Sequence, residues 1–190
     1  YAGWKLYEST WLRENSEGES LSLRLIRRDF SQTNEVQESV MITTCELIKQ
    51  QLAELGVEVL IEVYIEEDLS EHIKNRNYDI LLYGQSLGYN LDTFSYWHSS
   101  QATAEGLNLS NYRNPDADYL IEKIRRSFDD EEKSLLLTEL ATTISTDVPA
   151  VFLFTPTYYY LVDTNLIGVS VDNILQPKDR LTNINGWIFN

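Results

Sequence analysis

The stretch from Val57 to Ile65 reads Val-Glu-Val-Leu-Ile-Glu-Val-Tyr-Ile, in which β-branched residues largely alternate with others. This pattern predicts a strand. Apolar residues at helical spacing before it predict a helix from Asn34 to Leu55. Leu21, Leu23 and Leu25 alternate with polar residues and predict another strand. Strand, helix and strand in this order predict two parallel strands joined by a right-handed crossover.

The remainder of the chain continues the alternation of helices and strands. Residues 1–19 show no periodicity and are interpreted as a loop or short hairpin. Together, the elements predict the α/β class with a mixed β-sheet flanked by helices. The further predicted elements are a short helix at Asp68–Asn75, a central buried strand at Asp79–Tyr83, a helix starting at Asn114-Pro115-Asp116 with an apolar stripe of Leu120, Ile121, Ile124 and Phe128, a helix at Glu131–Ser145, strands at Val151–Phe154 and Tyr158–Val162, and an edge strand at Trp187–Phe189.

Composition and charge exclude several classes of protein. The 190 residues suit one domain or one large lobe, and 43% hydrophobic with 24% charged residues argues against general disorder. A formal net charge of −15 repels phosphate backbones and anionic lipid, so no nucleic-acid or membrane-surface partner is expected. The single cysteine, Cys45, cannot form an internal disulfide and is expected to be a small buried side chain.

Catalytic and metal-binding motifs are not found in the sequence. His72 and His98 stand far apart and outside any zinc-binding spacing, and neither a glycine-rich nucleotide cradle nor a Gly-x-Ser-x-Gly elbow occurs. The acidic runs Glu66–Asp68 and Asp129–Glu132 fall at predicted helix starts, where they complement the helix dipole. No catalytic residue, metal or cofactor is therefore expected.

The loop Leu82–Gln101 carries the strongest signal for ligand binding. It leaves the end of a predicted strand, where open α/β sheets bind their ligands, and it combines amides, hydroxyls, one carboxylate and aromatic rings. An alternative for Phe94, Tyr96 and Trp97 is that they start a short helix and pack inward, and the sequence leaves both possibilities open. The predicted ligand-binding residues are Tyr83, Gln85, Ser86, Tyr89, Asn90, Asp92 and Trp97.

Several motifs in the right order resemble the second lobe of the family 5 extracellular solute-binding proteins. These proteins are the oligopeptide- and dipeptide-binding subunits of ABC importers. The resemblance runs from about residue 2 to residue 175. Its clearest motifs are Tyr78-Asp-Ile-Leu-Leu-Tyr-Gly, Trp97-His-Ser-Ser-Gln, Asn111-Tyr-Arg-Asn-Pro-Asp-Ala-Asp118 and Thr146-Asp-Val-Pro-Ala-Val-Phe-Leu-Phe-Thr-Pro156.

This resemblance implies a fold, a function and a location. The implied fold is that of the two-lobed, periplasmic-binding-protein-like proteins of type II, cluster C, with residues 1–190 as one α/β lobe of a larger protein. Such proteins close on an oligopeptide or similar small solute between their lobes, act as monomers without catalysis, and deliver the solute to membrane permease and ATPase subunits. They are extracytoplasmic, in the periplasm or as cell-surface lipoproteins.

The loop departs from the family pattern at one informative place. Peptide binders of this family commonly carry an Asp-x-Asp-Pro-like run whose aspartate pairs with the amino terminus of the peptide. The matching residues here are Asn90-Leu-Asp-Thr93, so an amide replaces the first carboxylate and removes the charge-assisted part of that bond. Asp92 is the remaining carboxylate for this role.

Two other classes of function stay open at this stage. The acidic, tyrosine-rich composition also suits an extracellular protein–protein interaction module. The abundance of carboxylates is the one feature that suggests a carboxylate-dependent hydrolase.

Overall fold

A computed structural model describes residues 3–87, 91–157, 159–170, 174 and 176–190. The chain divides into two compact units, the first comprising residues 1–85 and 100–111 and the second residues 86–99 and 112–190. Each unit has its own cluster of buried apolar side chains. The α/β class is confirmed, whereas a single lobe over residues 1–190 stays a prediction.

The first unit is built around a parallel sheet. A hairpin of β1 (Lys5–Tyr7) and β2 (Leu12–Glu14) precedes it, as one of the two interpretations of residues 1–19 predicted. The predicted crossover is confirmed, because the two strands that flank α1 pair in parallel. The elements are β3 (Ser22–Arg28), α1 (Glu35–Glu54), β4 (Glu58–Tyr64), α2 (Glu66–Lys74) and β5 (Ile80–Leu82).

The strand order β4-β3-β5 corrects the prediction that Asp79–Tyr83 forms a central strand. The connection through α1 takes the chain to one flank of β3, and the connection through α2 brings it back to the other. β3 is therefore the central strand, with Leu25 and Ile26 both fully buried on its two faces. The apolar run of β5 comes from its inward side chains, Ile80 and Leu82, which pack on the core cluster of Leu25, Cys45 and Val59.

Two buried groups join α1 to the sheet. The Arg27 guanidinium donates to both carboxylate oxygens of Glu38 at 2.9 and 2.7 Å, and this pairing holds the pKa of Glu38 below its usual value. Cys45 is 1% exposed, which confirms the expected buried side chain, and desolvation raises the pKa of its thiol.

A polar network around Arg76 ties the loop 100–111 to the end of α2. Its Nη1 donates to the carbonyl of Ile73 at 2.6 Å. Its Nη2 faces the carbonyls of Thr103, Gly106 and Asn108 at 2.7, 3.0 and 3.3 Å. One cation thus satisfies carbonyls from two distant stretches of chain.

The second unit consists mainly of helices: α3 (Phe94–Trp97), α4 (Pro115–Arg126) and α5 (Asp130–Asp147). Asn114 accepts hydrogen bonds from the first amides of α4, and Pro115 occupies its first position, where no amide donor is needed. α4 and α5 pack through a shared apolar face. Its buried members are Ala117, Leu120, Ile121, Ile124, Leu136, Leu140 and Ile144.

Phe128 was expected on the apolar stripe of α4, but it is fully exposed. The helix ends at Arg126, and Ser127 adopts an extended backbone conformation. The helical spacing therefore no longer applies at residue 128, and the phenylalanine ring leaves the buried face.

A second polar network links the ends of α4 and α5. The Tyr112 hydroxyl donates to Asp147 at 2.5 Å, and the Asn114 amide donates to the same carboxylate oxygen at 2.6 Å. These bonds hold the pKa of Asp147 below its usual value, while burial and the carboxylate raise the pKa of Tyr112 to about 12.

The prediction of strands at Val151–Phe154 and Tyr158–Val162 is wrong, because none of the described residues in these two stretches forms a strand. Tyr158 lies outside the described residues. Their side chains are largely exposed, with Val151 and Leu161 at 75% and 91%. A strand needs a partner as well as a favourable composition, and no described backbone pairs with these stretches. β6 (Leu166–Ile167) does pair with β7 (Ile188–Phe189), which confirms a strand at the chain end.

No helix in the described ranges is both long and apolar enough to cross a membrane.

Candidate ligand-binding site

Tyr83 and Gln85 belong to the first unit and directly follow the carboxyl end of β5. Tyr83 is 50% exposed, and Gln85 is also exposed. The sheet reverses its direction of growth between β3 and β5, and open α/β sheets bind ligands at such a reversal. The structure therefore places these two predicted residues at the favoured edge of the sheet.

The neighbouring end of β3 carries charges that are already paired. Arg28 forms an ion pair with Glu66 at the start of α2, and its guanidinium lies 4.9 Å above the centre of the Phe30 ring. The Asp29 amide donates to the carbonyl of Tyr64 at 2.8 Å. This edge thus offers aromatic surface with balanced charge.

Ser86 and Asp92 belong to the second unit, where side-chain contacts hold the loop against the helices. Ser86 is exposed, and its carbonyl accepts a hydrogen bond from the Tyr96 hydroxyl at 2.8 Å. Asp92 accepts from the Phe94 amide at 3.1 Å through Oδ1, at the start of α3. Its Oδ2 lies 3.5 Å from Arg125 Nε of α4.

Trp97 is buried, with 6% of its surface exposed. Its ring lies edge-on to Tyr112 at 6.2 Å between centroids and tilted against Phe152 at 5.8 Å. Phe94 and Tyr96 are partly buried against the same core. Of the two possibilities left open by the sequence, the structure favours packing for Trp97.

Further contacts fix α3 on α4. The Phe94 ring stacks on His98 at 4.3 Å, and His98 Nε2 lies 3.7 Å from Glu122. The Ser99 amide donates to Asp118 at 2.8 Å. The loop of the second unit is therefore anchored on both sides of α3.

Arg125 pairs with the predicted residue Asp92 but was not itself among the residues predicted from the sequence. Its helix was predicted, but the side chain stands outside the motif-bearing loop and more than thirty positions from Asp92. The available signal was its place in a basic last turn of α4, which could serve any nearby carboxylate.

Two predicted residues, Tyr89 and Asn90, lie outside the described residues. For the rest, the structure assigns Tyr83 and Gln85 to one unit and Ser86, Asp92 and Trp97 to the other. Their roles in binding a ligand stay predictions.

The acidic side chains of the described residues have identifiable structural contacts. No group of three or more His, Cys, Asp or Glu residues in these ranges could hold a metal ion. The acidic runs lie at helix starts as expected: Asp129 accepts from the Glu132 amide at 2.8 Å, and Glu66 pairs with Arg28. The hydrolase hypothesis gains no support from these groups.

The comparison with known sequences gives one clear relative. No protein-family profile matches the chain. It is 28% identical over 188 residues to the oligopeptide-binding protein AppA of Bacillus subtilis (strain 168), which covers 98% of this chain and 32% of AppA. The chain thus spans about a third of the length of this relative.

Solved structures agree with the sequence match. AppA from Bacillus subtilis, in complex with a nonapeptide, aligns with all of this chain at 26% identity and a TM-score of 0.68, over 35% of its own length. Two structures under 25% identity show the fold alone. NikZ from Campylobacter jejuni, in complex with Ni(L-His), aligns with a TM-score of 0.70 at 18% identity, over 98% of this chain and 36% of NikZ. The ABC transporter-associated periplasmic binding protein DppA from Helicobacter pylori, in complex with a peptide, aligns with a TM-score of 0.55 at 19% identity, over 68% of this chain and 24% of DppA.

These matches confirm the resemblance and the fold that the sequence predicted. AppA is named for binding oligopeptides and not for a reaction, in line with the expectation that the chain is not an enzyme. The chain is homologous, over nearly all its residues, to about a third of the oligopeptide-binding protein AppA and shares the fold of that part of AppA.

Proposed function

We propose that this chain is a ligand-binding portion of the solute-binding component of an ABC importer, which captures an oligopeptide or a similar small solute between two lobes. The observation that carries the proposal is the alignment of 98% of the chain with AppA. The loop after β5 supports it, because its exposed polar and aromatic groups follow a strand end at the reversal of the sheet.

The partners and the location follow from the same proposal. The solute would pass to membrane permease and ATPase subunits, and the protein would work outside the cytoplasmic membrane, in the periplasm or as a cell-surface lipoprotein. Proteolysis of intact cells tests the location. A protein that stays protected until the cytoplasmic membrane is broken would contradict it.

Calorimetry with the complete gene product tests the solute class. The panel contains peptides of two to nine residues and, because NikZ is described with Ni(L-His), a nickel–histidine complex as well. Saturable binding of a peptide supports the proposal. Binding of the nickel complex with no heat from any peptide would assign another solute. No binding heat from any member of the panel would contradict the proposed binding function.

Tyr83 provides a sharper test within the site. Tyr83→Ala should weaken peptide binding by about tenfold, since an aromatic contact in a binding site is commonly worth more than 1 kcal/mol. Tyr119→Ala is the matched control, because Tyr119 is 59% exposed on α4 outside the loop. Equal effects of both substitutions would exclude Tyr83 from the site.

One observation favours the second candidate, a protein–protein interaction module. Val151, Phe152, Leu153 and Phe154 are 75, 67, 48 and 55% exposed in succession, and exposed apolar patches commonly mark protein contacts. Tight binding of a protein partner by the complete gene product, without binding of any small solute, would favour this function.

A further inference from the structure

Asp92 is the carboxylate of the loop, and its two oxygens face different groups. Oδ1 accepts the Phe94 amide at 3.1 Å, whereas Oδ2 lies 3.5 Å from Arg125 Nε. The Asp92 and Arg125 side chains are 30% and 49% exposed, so the pair is reachable from solvent. Asp92 is thus engaged at the helix start and beside a cation.

Arg125 is itself held in place by a second contact. Its guanidinium carbon lies 4.3 Å from the centre of the Phe94 ring, and Phe94 stacks on His98 at 4.3 Å. A planar guanidinium over an aromatic face is a favourable arrangement. The cation therefore lies against the same short helix whose first amide, that of Phe94, donates to Asp92.

The charge of this pair determines which ligand groups the loop favours. An ammonium that approaches Asp92 gains attraction from the carboxylate but meets repulsion from the Arg125 guanidinium beside it. A neutral or acylated group does not meet that repulsion. The pair therefore lacks the net negative charge that an isolated aspartate would offer to the amino terminus of a peptide.

We propose that Arg125 is a positioning and specificity-determining residue, which holds Asp92 in a charge-balanced pair and removes the preference of this loop for a cationic ligand terminus. The specificity part rests on the proposed function, whereas the positioning part concerns contacts within the second unit alone. Two measurements on the complete gene product separate them.

Hydrogen exchange tests the positioning part without a ligand. Arg125→Gln should raise exchange at the Phe94 amide about two- to fivefold, as expected for losing a partly exposed ion pair. The double variant Asp92→Asn/Arg125→Gln should exchange the Phe94 amide at nearly the same rate as Asp92→Asn alone, because the two residues act as one unit. Arg126→Gln is the matched control, since Arg126 is 79% exposed and pairs with Glu122 on its own helix. Unchanged exchange in Arg125→Gln would overturn the proposal.

Paired peptides test the specificity part. The probe is the peptide that binds most tightly in the calorimetric panel, with a free and with an acetylated amino terminus. The unchanged protein should bind both forms within a fewfold, and Arg125→Gln should shift the ratio toward the free terminus by about tenfold. A strong preference for the free terminus that Arg125→Gln leaves unchanged would overturn the inference. If no peptide binds, the proposed function fails, while the exchange result still decides whether Arg125 positions Asp92.

Discussion

Both units use a polar network to join distant parts of the chain, but the chemistry of the two networks differs. In the first unit, Arg76 donates to backbone carbonyls, including those of Ile73 and Thr103, which do not titrate. In the second unit, Tyr112 and Asn114 donate to the Asp147 carboxylate, whose pKa is shifted downward. The comparison predicts that pH acts on the junction of the second unit through groups that the first junction lacks.

The largest expected effect concerns the apolar core to which the second network belongs. Trp97→Ala should lower the free energy of unfolding by about 3–5 kcal/mol, because the buried ring leaves a cavity. Chemical denaturation followed by circular dichroism measures it. Phe128→Ala, at a fully exposed ring, is the control and should change stability by less than about 0.5 kcal/mol. A comparably small effect at Trp97 would show that the ring is not a core residue.

Removal of the cation from the first network should have the next largest effect. Arg76→Met should lower the free energy of unfolding by about 2–4 kcal/mol, since several carbonyls lose their donor at once. Hydrogen exchange should rise in residues 101–111 before it rises elsewhere. The matched substitution Arg126→Met removes an exposed arginine and should cost less than about 0.5 kcal/mol. Equal losses would mean that the Arg76 bonds contribute little to the loop.

Tyr112→Phe removes only the hydroxyl from the second network and should cost about 1 kcal/mol. The raised pKa of Tyr112 means that its contribution is present below the ordinary value of 10.0 and is lost as pH rises toward about 12. Stability measured against pH in the alkaline range should therefore fall less steeply in Tyr112→Phe. Parallel curves for the two proteins would contradict this assignment.

The smallest effect concerns acid. The pKa of Asp147 is lowered mainly by the Tyr112 hydroxyl and then by Asn114, so its contribution is present above the ordinary value of 3.8 and is lost as pH falls through the lower folded value. Asp147→Asn should be less acid-sensitive than the unchanged protein. Amide exchange at the end of α5 measures this locally, and Arg76→Met should show no such difference in acid sensitivity. Acid sensitivity that Asp147→Asn does not alter would remove the contrast between the networks.

Local pattern predicted the elements whose burial follows from their own sequence. The helix expected at Asn34–Leu55 is Glu35–Glu54, and the strand expected at Val57–Ile65 is Glu58–Tyr64. The pattern failed where a partner decides the outcome. β5 lies at an edge because of its pairing order, and Val151–Phe154 has strand composition without a paired neighbour in the described structure.

The predicted site shows the same contrast between features set by local sequence and features set by distant partners. The sequence located the exposed loop after β5, because strand ends and polar loops are local features. Arg125 and Arg76 were not recognised, since their partners Asp92 and Thr103 are distant along the chain. Such pairings depend on the packed arrangement of helices and loops, which a residue pattern does not specify.

The burial of Cys45 provides a natural probe for opening of the first unit. It is the one cysteine in the sequence, and it lies on the buried face of α1, against Leu25 of β3 and Val59 of β4. Because the side chain is 1% exposed, separation of that helix from the sheet should make it accessible to a thiol reagent. The labelling rate under native conditions would therefore measure the opening rate of the first unit and give no information on the second unit.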